Sequence, residues 1–212
     1  MMKVCEIFAS IQGESSFAGM PCVFVRLTGC NLRCVFCDTK YSYDEGVEMD
    51  LDKVVETVKA YGIKLVELTG GEPLLQKEPI PLIQRLHDEG LNVLLETNGS
   101  MNIGDVDART VIIMDIKTPG SGMCGKTDLS NIGLLKPTDE VKFVIADRED
   151  YKWSMDFIME HGLLEKCGVL LSPAFGVMPP ATLAGWMVKD TLPARLNMQL
   201  HKYIYPSDKR GV

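Results

Sequence analysis

The sequence has no apolar run approaching the ~20 residues that a membrane-spanning helix needs, which argues against a membrane protein. It is short of basic charge. Lys and Arg number 22 against 29 Asp and Glu, for a formal net charge of −7 and a pI of about 5.0. A standing phosphate-binding surface needs clustered Lys and Arg, so direct nucleic-acid binding is not expected. The opening Met-Met-Lys-Val-Cys-Glu-Ile-Phe lacks the layout of a secretory signal. There is no internal repeat, low-complexity tract or linker. Histidine is scarce, with three in all. The seven cysteines are an odd count. In an unexported chain they read as metal-binding or buried thiols rather than a disulfide framework, and a reducing cytoplasm is the expected setting.

What is there is ordinary for a soluble globular protein. The 212 residues are 46% hydrophobic and 24% charged. That length suits one domain, 1–212, with a sizeable core. Apolar runs alternate with amphipathic segments. Strands are expected over residues 4–9, 22–27, 65–68, 92–96, 111–116, 140–145, 169–172 and 195–200. A helix capped by Asp50 should run to about Tyr61, with Val54, Val55 and Val58 on one face and Gly62 at its end. Further helices are expected over 80–89 and 148–161, and from Pro179 and Pro180 through Trp186. Short apolar strands alternating with helices imply parallel βαβ units. About seven strands would form the barrel. A full eight-fold barrel typically needs ~250 residues, and residues 118–138 have little helical pattern. The expected fold class is therefore α/β, a partial, open (β/α) barrel truncated relative to the full one. Chemistry in such barrels gathers where strands end. Cys30, Gly70, Thr97, Lys117, Ser172 and His201 each sit just after an expected strand.

Three cysteines, Cys30, Cys34 and Cys37, fall within eight residues in the spacing C-x3-C-x2-C. Thiolates suit iron–sulfur clusters and zinc. A closed structural zinc site wants four ligands, and no fourth cysteine follows at ferredoxin-like spacing. The loop reads as the seat of a cubane cluster with one open iron; the bland alternative is three small buried hydrophobes. Cys5, Cys22, Cys124 and Cys167 are scattered and read as packing, with Cys124 exposed in a Gly-rich loop.

The spacing, with Asp38-Thr39-Lys40 after it, Ile11-Gln12-Gly13-Glu14-Ser15 and Phe24-Val25-Arg26 before it, and Thr69-Gly70-Gly71-Glu72-Pro73 and Glu96-Thr97-Asn98-Gly99 beyond, resembles the 7-carboxy-7-deazaguanine synthase family of the radical S-adenosylmethionine (SAM) superfamily. The resemblance covers almost the whole chain. It implies a [4Fe-4S] cluster on Cys30, Cys34 and Cys37, with SAM chelated to the open iron. It places SAM against Gly71 and Glu72 and against Asp115-Ile116-Lys117, where many members have Ser-Pro-Lys; Phe36, between two cluster cysteines, is positioned to pack beside the adenine, with the backbone of Cys37 and Asp38 reading its edge. The resemblance assigns Ile11, Gln12, Gly13, Arg26 and Thr69 to the substrate and Thr39 to a magnesium ion; His201, at the end of the last expected strand, is the best placed of the three histidines to join the substrate residues. Each has a plainer reading. Thr-Gly-Gly-Glu-Pro can be a tight turn, and Phe36 a shield for the cluster. Asp115 and Thr39 can be loop caps, His201 a satisfied core imidazole. Arg26, in an apolar strand, needs a partner, and Glu14 is one choice.

The activity implied is that of a radical SAM lyase. It would convert 6-carboxy-5,6,7,8-tetrahydropterin to 7-carboxy-7-deazaguanine with loss of ammonia, in queuosine or 7-deazapurine biosynthesis, using SAM catalytically. The implied partners are an external electron donor such as flavodoxin or ferredoxin and a second copy of the chain. Two rivals stand beside it. A glycyl-radical-enzyme activating enzyme shares the cysteine spacing and consumes SAM. A non-enzymatic metal- or cluster-binding module needs only the cysteines.

Overall fold

The structure is a computed structural model describing residues 1–207 and 209–212. Nine strands form one sheet: β1 (Met2–Ile11), β2 (Pro21–Leu27), β3 (Val47–Met49), β4 (Leu65–Gly70), β5 (Asn92–Thr97), β6 (Val111–Ile116), β7 (Glu140–Ile145), β8 (Gly168–Pro173) and β9 (Arg195–Leu196). The α-helices are α1 (Leu51–Ala60), α2 (Pro79–Asp88), α3 (Arg148–Glu160), α4 (Pro180–Lys189) and the short α5 (His201–Ile204). The strand order is β3-β1-β2-β4-β5-β6-β7-β8-β9. From β2 onward all seven strands run parallel. The sheet is the expected partial, open barrel.

Three details differ from expectation. β1 runs antiparallel to β2, because the loop between them, residues 12–20, is too short for a parallel crossover of a dozen or more residues. β3, three residues long, pairs antiparallel with β1 and lacks the apolar run that would announce it. The last strand stops at Leu196, not residue 200. Asn197 ends it, donating from Nδ2 to Ser172 Oγ at 2.8 Å and accepting from Ser15 N at 2.7 Å. The chain then crosses back to the first loop, where Leu200 N donates to Gly13 O at 2.8 Å.

Helix limits follow the local chemistry to within a few residues. Asp50 caps α1 by accepting from Lys53 N at 2.7 Å. Its face of Val54, Val55 and Val58 packs on Val23, Val25, Val66, Leu68 and Leu95. Pro79 and Pro180 open α2 and α4, where a missing N–H costs nothing. Between β6 and β7 there are only two short 3-10 turns, at Pro119–Ser121 and Leu129–Gly133, as the weak helical pattern there suggested. The first turn is pinned by the buried Asp150 of α3, which accepts from Gly120 N at 2.7 Å and Ala146 N at 3.0 Å. An Asp150→Ala chain should lose about 1–3 kcal/mol, the cost of stranding such donors, in a urea melt. A change within error would show that water replaces the carboxylate.

Side chains alternate across each parallel strand. One set faces the helices. The other fills the barrel, where Cys22, Phe24, Leu65, Leu94, Ile113 and Leu170 form a closed apolar floor. Two residues further along the same strands stand Arg26, Glu67, Glu96, Asp115 and Ser172, all lining the mouth. One alternation thus builds both the core and a polar cleft above it.

Candidate active site

The cleft opens at the carboxyl ends of the parallel strands and has a volume of about 380 Å³, within the usual range for small-molecule sites. Cys30, Cys34 and Cys37 line one wall. All three are free thiols. Leu32 N donates to Cys30 Sγ at 3.4 Å. The Arg33 guanidinium donates to Cys30 O and Leu32 O, both at 2.7 Å, and lies 4.2 Å over the Tyr43 ring. Val35 N donates to Ser121 O at 3.0 Å, which ties this loop to the one after β6. Burial pushes the Cys30 and Cys34 thiols above their ordinary value. A metal that binds here must displace those protons.

Three free thiols on one wall of the cleft are the soft donors that suit an iron–sulfur cluster, and Cys30, Cys34 and Cys37 would hold it. Thr39 Oγ1 lies 3.8 Å from Cys37 Sγ and is the lone hydroxyl proposed for magnesium.

The glycine motif after β4 makes the floor of this wall. Gly70 has φ +151°, and a Cβ there would fall 2.3 Å from Leu27 O. A Cβ on Gly71 would fall 2.2 Å from Gly29 O and 2.5 Å from Cys30 Cβ. Glu72 departs from its expected role. It is fully buried and does not line the cleft. Its carboxylate accepts from Leu74 N at 3.0 Å, Thr97 Oγ1 at 2.9 Å and Asn98 N at 2.7 Å. With its lone pairs spent on the loops after β4 and β5, it is a buckle between them rather than a SAM contact.

On the far side of the cysteines, Asp115 and Lys117 line the cleft and pair at 3.0 Å. Asp115 is thus an ion-pair partner, not a loop cap. Its Oδ1 is buried without a hydrogen-bond partner among the described residues. Ile116 corrects the expectation of a cofactor contact, because strand alternation turns its side chain into the outer core, 1% exposed. Lys142 of β7, opposite Asp115 in register, reaches Glu14 at 2.9 Å, Asp115 at 3.5 Å, and Glu96. Burial alone would lower its pKa. The three carboxylates outweigh burial and hold the ammonium well above its ordinary range.

The residues expected at the substrate fall on the same cleft with one exception. Ile11, Gln12, Arg26, Thr69 and His201 line it, as do Phe36 and Asp38. Gly13 does not. Its Cβ position lies 2.0 Å from His201 Nδ1, so it is a glycine to admit that ring. Arg26 is paired with Glu6, its antiparallel neighbour, at 2.7 Å, and not with Glu14. Tyr41 donates to the same Glu6 oxygen at 2.8 Å. The other guanidinium nitrogens of Arg26 have no partner among the described residues. Thr69 Oγ1 donates to Glu96 at 3.1 Å. Lys202 reaches Asp38 at 2.5 Å; burial would raise that carboxyl, but the ammonium keeps it below its ordinary value. Burial pushes the His201 imidazole down. His87 and His161 lie away from the cleft, half-buried against Thr110 and Phe157. Cys124 is exposed and Cys22 buried.

Sequence reasoning missed Glu67, Glu96 and Lys142, and gave Glu14 only as a possible partner for Arg26. A signal was present. Glu67, Glu96 and Lys142 are each a charged residue inside an apolar strand, two positions from a residue that faces the barrel. That test was applied to Arg26 alone.

Comparison with known proteins agrees with this geometry. The Radical SAM superfamily model matches residues 24–163. A 7-carboxy-7-deazaguanine synthase of Chlorobaculum tepidum is 46% identical over 100% of this chain and 97% of the relative. One of Koribacter versatilis is 43% identical over 100% of both. The crystal structure of QueE from Escherichia coli covers 94% of both chains at a TM-score of 0.79 and 22% identity, a likeness of fold. By sequence along its full length, and by the superfamily match across the cysteine loop and barrel strands, this chain belongs to the 7-carboxy-7-deazaguanine synthase family of the Radical SAM superfamily.

Proposed function

We propose that the chain is a radical SAM lyase that converts 6-carboxy-5,6,7,8-tetrahydropterin to 7-carboxy-7-deazaguanine and ammonia. The observation that carries the reading is one cleft with three free cysteines on one wall and Arg26, Gln12 and Thr69 on another. When bound, the cluster and SAM supply one-electron cleavage of a carbon–sulfur bond and the hydrogen abstraction that follows. The chain's own residues hold and orient. Cys30, Cys34 and Cys37 ligate the cluster. Phe36, Cys37, Asp38, Gly71, Asp115 and Lys117 border the space beside it and suit SAM. Arg26 presents a planar fork to the substrate carboxylate. Ile11, Gln12, Thr69 and His201 border the ring, with the Phe8–Phe24 stack, centroids 5.1 Å apart, also lining the cleft. Thr39 supplies the one protein oxygen for a magnesium ion that otherwise keeps waters and substrate oxygens.

The chain works as a single domain, 1–212, a reading supported by one sheet running from β3 to β9. Its seven free cysteines suit a reducing cytoplasm, and no described helix is long and apolar enough to cross a membrane. A homodimer and an external one-electron donor complete the proposal.

The test is anaerobic. The reconstituted, reduced protein is given SAM with and without 6-carboxytetrahydropterin, and 5′-deoxyadenosine and deazaguanine are followed. Many deazaguanines per deoxyadenosine are expected. Deoxyadenosine without deazaguanine would move the substrate elsewhere, with the activating-enzyme reading next. Arg26→Ala should raise KM for the pterin about tenfold to hundredfold, the loss of a charged hydrogen-bond pair, while SAM cleavage persists. Equal loss of both would make Arg26 structural.

A further inference from the structure

Five acids line the cleft: Glu14, Asp38, Glu67, Glu96 and Asp115. Four have a cation within 4 Å. Glu14 and Glu96 have Lys142, Asp38 has Lys202, and Asp115 has Lys117. Glu67 has none among the described residues. It is 5% exposed, and its one side-chain partner among those residues is Gln12 Nε2. A buried carboxylate without a cation, close to two others, is costly to ionise. Burial, then Glu96 and Glu14, push this carboxyl well above its ordinary range, against the weaker pull of Lys142 and Gln12. An uncharged acid offers the Gln12 amide a carbonyl oxygen.

Gln12 is itself 3% exposed and held at every group but one. Its main chain pairs with Met20 O and Gly19 N, both at 2.8 Å. Its side-chain oxygen accepts from Glu14 N at 3.1 Å. One amide hydrogen goes to Glu67. Glu14 N demands the oxygen and Glu67 takes the nitrogen, so the amide has one orientation and one N–H to spare.

We propose that Glu67 is a positioning residue for substrate recognition, fixing the Gln12 amide so that its remaining N–H meets an acceptor on the pterin ring. The inference rests on the reading that this cleft binds the pterin. It deepens that reading by adding a residue that supports the recognition without supplying charge.

A double-mutant cycle tests it, using KM for 6-carboxytetrahydropterin and deoxyadenosine formation in the reconstituted protein. Glu67→Gln keeps a carbonyl for Gln12 and is expected to stay within about threefold of the parent KM, since neutral-for-neutral exchange retains the bond. Glu67→Leu and Gln12→Ala should each raise KM about tenfold to hundredfold, with kcat changed less. The double variant should be no worse than Gln12→Ala, because the two act as one unit. Should Glu67→Leu not fold, Glu67→Asp, which withdraws the carboxyl by a methylene, takes its place. Additive losses would overturn the proposal. So would Glu67→Gln losing as much as Glu67→Leu, since that would require an ionised carboxylate. Failure of the parent protein to turn over the pterin would overturn the functional reading itself, a separate result, and the inference with it.

Discussion

Gly71→Ala is expected to give a folded chain that cannot hold its cluster. The added methyl would sit 2.2 Å from Gly29 O and 2.5 Å from Cys30 Cβ. Neither atom is the tip of a flexible side chain. Gly29 is fixed from both sides, its N–H donating to Ser42 O and its carbonyl accepting from Glu72 N, each at 2.8 Å. Glu72 in turn is buckled to Thr97 and Asn98. Relief requires the cysteine loop to lift away from β4. The global cost of such overpacking is about 1–3 kcal/mol, which a domain can survive. The local cost is larger, because displacing a reacting centre by an ångström costs on the order of a hundredfold in rate. The expected result is near-parent circular dichroism, iron well below the parent after reconstitution, and deoxyadenosine formation down by at least that factor. Gly185→Ala in α4 is the control. Nothing lies within 4 Å of its Cβ position, so it should leave iron binding untouched and, by helix propensity, add up to about 1 kcal/mol. Full iron and normal SAM cleavage in Gly71→Ala would show that the two loops are not locked together.

The sequence carried the fold wherever one physical signal dominated. The central parallel strands and four long helices follow from apolar runs, caps and prolines, and the structure moves their ends by a few residues. β3 was illegible because Val47-Glu48-Met49 gains its conformation from pairing with β1, not from its own pattern. The last strand was overdrawn because Asn197 ends it through side-chain bonds to Ser15 and Ser172, 182 and 25 residues away. In the cleft, spacing gave the cysteines, and resemblance gave Gln12, Arg26 and Thr69 their place. The same route put Glu72, Ile116 and Gly13 in contact with ligands. Motif position does not say which way a side chain turns. Ile116 follows strand parity into the core, Glu72 is consumed by backbone amides, and Gly13 makes room for His201. The missed group, Glu67 of β4, Glu96 of β5 and Lys142 of β7, meets only when the strands lie in one sheet, which no linear motif records.

Lys142→Met should cost the chain more stability than Asp150→Ala or Gly71→Ala. Lys142 is 5% exposed at its side chain and stands among Glu14, Glu96 and Asp115. Methionine fills the volume but leaves those carboxylates facing one another. Asp115 keeps Lys117 at 3.0 Å. Among the described residues Glu14 keeps the amides of Gln199 and Asn197, at 3.0 and 3.4 Å, and Glu96 the Thr69 hydroxyl. Breaking a buried pair from one side costs about 3–5 kcal/mol, against a total stability of about 5–15 kcal/mol for a domain. The loss should depend on pH. In the parent, burial works to raise Glu14, but Lys142 and the Gln199 amide bring it below its ordinary 4.5. A group with a lowered folded pKa adds stability above the unfolded value, and that stability disappears as pH falls through the folded one. Lys142, raised above 10.5, contributes fully below that value and fades only as pH climbs through its folded one. In Lys142→Met, Glu14 loses that cation while its burial remains, so burial then raises its folded pKa and ionisation near neutrality works against folding. The gap between parent and variant should therefore be larger at pH 7 than at pH 4, because falling pH protonates the uncompensated Glu14 of the variant while the parent's Glu14, lowered by Lys142, stays ionised. Urea melts at pH 7 and pH 4 measure it directly. Glu14→Gln placed in the Lys142→Met background should recover part of the loss at pH 7 and little at pH 4. An equal gap at both pH values would mean that Lys142 contributes by packing alone. The same lysine holds Glu96, which holds Thr69, and Glu14, whose N–H orients Gln12. A stability measurement on one buried ammonium therefore also reads how firmly the cleft is prepared for its ligand.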